Sequence, residues 1–116
     1  MTTKRDEAIR LLESLLRAVD DLEACLRGTR KTYGEALDQL REGIGVAEVL
    51  DTVGAATTRQ SVTESLAEFE QRRHESRLSL IAAGLEEGMT INGVSKAWGI
   101  SRQLASRYAK ETRGES

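Results

Sequence analysis

Six side chains near the C-terminus, Arg102, Gln103, Ser106, Arg107, Lys110 and Arg113, fall at i, i+1, i+4, i+5, i+8 and i+11. On a 3.6-residue period that spacing draws one continuous stripe along a helix. An Arg fork matches O6 and N7 of guanine, and a Gln amide matches N6 and N7 of adenine. The early residues of such a helix reach base edges and the later ones meet phosphate. Arg102, Gln103, Ser106 and Arg107 are therefore the candidates for base contact, and Lys110 and Arg113 for phosphate contact. Thr90 and Ser101 are candidates of a second kind. Each stands where a helix begins, so the first backbone N–H groups there can bind an anion. Taken alone, the stripe is equally an ordinary charged face in water, and the surrounding elements must decide.

Those elements are legible. Residues 78–113 read as three short helices. The first runs Leu78 to Glu87, buried through Leu78, Ile81, Ala82 and Leu85, and ends at Gly88. Thr90 caps the second, Ile91 to Trp98, which Gly99 ends after barely two turns. Ser101 caps the third, which runs to about Thr112. The residues expected to face inward are Ile91, Val94 and Trp98 from the second helix and Leu104, Ala105 and Tyr108 from the third. Ile100 drops from the turn between them, and small Ala97 and Ala105 allow close approach. Two helices joined through Gly-Ile-Ser have the form of a helix-turn-helix.

Residues 88–108, GMTINGVSKAWGISRQLASRY, resemble the helix-turn-helix of bacterial DNA-binding proteins. They are most similar to the C-terminal DNA-binding domain of site-specific invertases and resolvases. Gly88, Thr90, Ile91, Val94, Gly99, Ile100, Ser101, Arg102, Ser106 and Arg107 carry the likeness. The sequence departs from that pattern at Ser95, usually Ala, and at Ala105, usually Val or Ile, and Trp98 is bulkier than usual. The resemblance implies double-stranded DNA as partner. It covers about a fifth of the chain by motif and does not reach residues 1–70, which lack a recombinase's catalytic domain.

The N-terminal part supplies a different pattern. Thr2 and Thr3 are cap candidates, with Asp6 and Glu7 in the first turn. Leu12, Val19, Leu26, Tyr33 and Leu40 form one seven-residue row and Ala8, Leu15, Leu22, Thr29 and Ala36 another, widened by Ile9 and Leu16. This is an a/d seam over about four heptads. Gly28 and Gly34, at about 1 kcal/mol each relative to Ala, leave open whether the helix bends or breaks between Arg27 and Gly34. Val46, Val49, Leu50 and Val53 make a short amphipathic helix between Gly45 and Gly54. Residues 55–58 read as a connection, with Thr57 or Thr58 capping a second long helix from about Arg59 towards His74 or Leu85. Val62, Leu66, Phe69, Arg73, Ser76 and Leu80 mark its stripe. A hairpin with so thin a core is expected to bury that stripe against a second copy, through residues 4–42 and 59–75.

Composition bounds the rest. The chain has 116 residues, no proline and 31% charged side chains, which suits a mostly helical protein. Residues 1–70 hold 9 basic and 14 acidic side chains and residues 71–116 hold 8 and 5, so an anionic partner is expected at the C-terminal part. No apolar run approaches the roughly 18 residues of a membrane span, and the polar first ten residues do not read as a secretory signal. With one Cys and one His, neither a disulfide framework nor a zinc site is expected, and the default setting is the cytoplasm, in association with the nucleoid. His74 reads as a surface histidine, Cys25 as a half-buried thiol and Trp98 as a core plug. No cofactor is implied, and no nucleophile–base set is evident, so an enzyme is not expected.

The expected architecture is all-α. A long-helix hairpin or coiled-coil-like module, residues 1–75, precedes a three-helix helix-turn-helix domain, residues 76–116. The expected function is sequence-specific DNA binding as a homodimeric transcriptional regulator. Low-specificity, nucleoid-type DNA coating and a coiled-coil adaptor that binds a protein partner are the two rivals.

Overall fold

The computed structural model describes residues 3–114. They form five α-helices and no strand: α1, Lys4–Arg41; α2, Val46–Val53; α3, Ala55–Glu86; α4, Ile91–Trp98; and α5, Arg102–Thr112. The all-α expectation holds. The chain divides into two compact units. The first joins Met1–Leu15 to Gln71–Ser116, and the second is Leu16–Glu70. The division falls at 15/16 and at 70/71, so the first fifteen residues group with the C-terminal segment.

Local chemistry explains the helix ends. Thr3 and Asp6 close a reciprocal capping pair on α1: Asp6 N–H donates to Thr3 Oγ1 at 3.0 Å, and Thr3 N–H donates to Asp6 Oδ2 at 3.2 Å. Thr2, the other cap candidate, lies outside the described residues. α1 runs unbroken through Gly28 and Gly34, which answers the open question of a break there. Both glycines are solvent-exposed and nothing crowds them, so their propensity cost is met by the surrounding turns. α3 begins at Ala55, four residues earlier than expected. Gly54 takes a left-handed conformation (φ 68°, ψ 48°) that ends α2, and its carbonyl accepts from Thr58 N–H at 3.1 Å. Thr57 and Thr58 therefore sit inside the first turn of α3 and cap nothing. The separate helix expected at residues 78–87 is the last part of α3.

In the first unit, the core is Ile81, Val94 and Ala105, each 1% exposed or less, with Leu85, Ile91, Ile100 and Tyr108 packed against it. Ala8 and Ala83 are also buried. The residues of α1 and α3 in this unit are linked by polar contacts. The Ser76 hydroxyl, itself buried, donates to the Leu11 carbonyl at 3.0 Å. Arg5 grips the Glu87 carboxylate with two hydrogen bonds of 2.8 and 2.9 Å. Hydrogen bonding from Arg5 holds Glu87 below the usual carboxylate range.

In the second unit, α1 and α3 face each other across small side chains. Ala24, Cys25, Gly28, Thr29 and Thr32 line a groove against Thr57, Thr58, Ser61 and Ser65. Cys25 is half-buried, as expected, and its carbonyl accepts from the Thr29 hydroxyl at 2.8 Å. Ala18 and Val49 are the buried apolar residues described in this unit. Eight of the larger apolar side chains, Leu16, Leu26, Tyr33, Leu37, Leu40, Val46, Leu50 and Leu66, are exposed, while Val19, Leu22, Ile44, Val53, Val62 and Phe69 are half-buried. The row through Leu26, Tyr33 and Leu40 is thus not an internal seam. Leu66 likewise points away, and Ser65 takes the inward place.

Candidate nucleic-acid interface

The turn between α4 and α5 is built by three residues with separate tasks. Thr90 begins α4 with extended backbone (φ −93°, ψ 165°), and its Oγ1 accepts from Gly93 N–H at 3.0 Å. Gly99 ends the helix in the left-handed region (φ 65°, ψ 38°), where a Cβ would clash with its own carbonyl. Ser101, again extended (φ −67°, ψ 157°), caps α5 by accepting from Leu104 N–H at 3.0 Å. Between them, Ile100 N–H donates to the Ser95 carbonyl at 3.1 Å, and the Ser95 hydroxyl donates to the Ile100 carbonyl at 2.5 Å. Ser95, a departure from the resembled pattern, is therefore a lock on the turn.

Packing fixes which face of α5 turns outward. Ala105 is fully buried and Ala109 is 1% exposed, while Leu104, Tyr108 and Thr112 are half-buried. Ala109 completes this inner face and was not among the residues expected there. Opposite it, Arg102, Gln103, Arg107 and Lys110 are exposed, and Ser106 is half-buried at the edge. Arg113 is exposed one residue past the end of α5, with its N–H turned back to the Lys110 carbonyl at 3.1 Å. The stripe read from spacing is therefore one surface from Arg102 to Lys110, and Thr90 and Ser101 are exposed at the starts of their helices.

The acid on α5 is held aside. His74 Nε2 lies 3.1 Å from Glu111 Oε2, and Arg77 Nη2 lies 3.0 Å from His74 Nδ1. The Arg77 guanidinium stacks over the Tyr108 ring at 4.7 Å, and the His74 ring meets the same tyrosine edge-on at 6.3 Å. Four side chains thus fasten α5 to α3. His74 is half-buried and tethered, not a bare surface histidine. No local pattern announces this cluster, because His74 and Glu111 are 37 residues apart.

Two expectations about α4 are corrected. Trp98 is 40% exposed and is no core plug. It is the last residue of α4, and Ile100 fills the core from the turn instead. Ala97 is exposed too, so Ala105 supplies the close approach of α4 and α5. Sequence reasoning also passed over Lys96, exposed in the last turn of α4. A cation two places after the inward Val94 was the available signal for it. Among the described residues no group of His, Cys, Asp and Glu could hold a metal ion, and no helix is long and apolar enough to cross a membrane.

No protein-family model, curated protein or solved structure matches the chain.

Proposed function

We propose that the chain binds double-stranded DNA sequence-specifically, as a small dimeric transcriptional regulator associated with the nucleoid. In this reading α5 enters the major groove, and Arg102, Gln103, Ser106 and Arg107 read base edges. Lys110, Arg113 and Lys96 meet phosphate, as do the backbone N–H groups that follow Thr90 and Ser101.

One observation carries the reading. A capped, glycine-turned helix pair keeps its apolar side on Ile81, Val94 and Ala105 and leaves Arg102, Gln103, Arg107 and Lys110 exposed together on the other. The tether on Glu111 adds to it by turning the carboxylate of α5 towards His74.

The test is selection of bound duplexes from a random pool at physiological salt. Enrichment of an inverted repeat, with half-sites spaced by whole turns of about 10 bp, is expected of a twofold dimer. Retention without enrichment would replace this reading with DNA coating, and no retention would end it.

A further inference from the structure

α1 carries two adjacent heptad rows in the second unit, and the fold uses one. The inward row, Leu22, Cys25, Thr29, Thr32 and Ala36, is half-buried. The other row is Leu16, Val19, Glu23, Leu26, Arg30, Tyr33, Leu37 and Leu40, spaced 3-4-3-4 without interruption. Leu16 is 62% exposed, and Leu26, Tyr33, Leu37 and Leu40 are between 44% and 51% exposed. An open groove of about 770 Å³ runs among Glu23, Leu26, Arg30, Tyr33, Gly34 and Leu37. A Cβ added to Gly34 would meet nothing within 4 Å, so that flank is open to an approaching helix.

The charges on this row name its occupant. Glu23 lies in its first half and Arg30 in its second. Neither has an ion-pair partner among the described residues. Parallel pairing in register would set Glu23 on the partner's Glu23 and Arg30 on the partner's Arg30. Antiparallel pairing centred on Gly28 instead brings Glu23 near the partner's Arg30. A charged residue at a single a position is a known means of fixing register and direction in a coiled coil.

We propose that a second copy of this chain docks antiparallel along α1, with Leu16 opposite the partner's Leu40, Val19 opposite the partner's Leu37, and Glu23 beside the partner's Arg30. This centres the pairing on Gly28 and uses all eight residues of the row. The proposal deepens the dimeric part of the function above and is independent of its DNA part.

Disulfide trapping in the full chain, with Cys25→Ser as background, tests the direction. L16C and L40C chains, mixed and oxidised, are expected to form a mixed dimer, while neither forms one alone. Self-linking of L16C alone, which parallel pairing demands, overturns the proposal. So does a chain that sediments as a monomer at micromolar concentration. Charge exchange supplies the second arm. Glu23→Arg should weaken the dimer about tenfold or more, and Arg30→Glu in the same chain should restore it. Because these side chains are exposed, helix content by circular dichroism should stay unchanged. Failure of rescue, with the fold intact, overturns the register. A monomer that still enriches one DNA half-site would sink the seam and leave the DNA reading standing, and an antiparallel dimer that ignores DNA would do the reverse.

Discussion

His74 Nε2 sits 3.1 Å from Glu111 Oε2 while its other nitrogen faces the Arg77 guanidinium. Arg77 can only donate, so Nδ1 accepts and the ring proton lies on Nε2, donating to the carboxylate. The imidazole joins a cation on α3 to an anion on α5. Removing the carboxylate should loosen α5 and also strip its acid. Glu111→Ala is expected to lower stability by about 0.5–1 kcal/mol, because both side chains are partly exposed. It should also tighten binding to all DNA sequences alike, with a steeper salt dependence. Thermal melting and a salt titration check the two effects, and a variant that melts lower without gaining DNA affinity would detach the tether from the interface.

Gly99 should be the most sensitive glycine of the turn. Its φ of 65° is left-handed, which costs a residue with a Cβ roughly 1–2 kcal/mol. Gly99→Ala is expected to lose about that much in urea unfolding. Gly93→Ala, at a helical position of ordinary φ, provides the comparison.

Arg107 and Lys110 should fail differently. Arg107→Ala is expected to cost about 1–3 kcal/mol on the best site and to relax one base position. Lys110→Ala should weaken every sequence by a similar factor and reduce the salt slope by about one. Fluorescence anisotropy on cognate and scrambled duplexes at several salt concentrations separates them.

The Arg5–Glu87 contact gives the first unit an acid limit. Hydrogen bonding from Arg5 lowers the Glu87 carboxyl from its ordinary 4.5. A lowered value means that the fold favours the ionised form. The contribution is therefore present above pH 4.5 and fades as the pH falls through the lowered value. Glu75, lowered chiefly by a hydrogen bond from Gln71, acts in the same direction. Glu87→Gln should flatten the loss of stability across that range, as read by urea midpoints above and below pH 4.5.

The turn was legible because its residues are punctuators with local chemistry. Thr90, Gly99 and Ser101 need only their own backbone to explain them, and each stands where its type required. The basic face followed from the same reading, since a face is fixed once Ala105 and Val94 are known to be inside. Register was not legible in the same way. α1 has heptad spacing in two rows, and periodicity cannot say which one a neighbouring helix will choose. The fold half-buries Thr29, Thr32 and Ala36 and leaves Leu26, Tyr33 and Leu40 exposed, with Thr29 and Thr32 lining a groove against Thr58, Ser61 and Ser65. Trp98 was misread because hydrophobicity was taken for burial at a helix end, where the next residue, Ile100, had the better path into the core.

The small-residue seam of the second unit also sets how that unit opens. Among the described residues of this unit Ala18 and Val49 are the fully buried apolar ones, and its other apolar side chains are half-buried or exposed, a pattern that favours local opening. The first unit holds Ile81 and Val94 at full burial and should keep its slowest amides at the global limit. If a second copy docks on α1 as proposed, amides of the second unit should instead exchange at a rate that falls as protein concentration rises, because the partner would bind the closed form and not the open one.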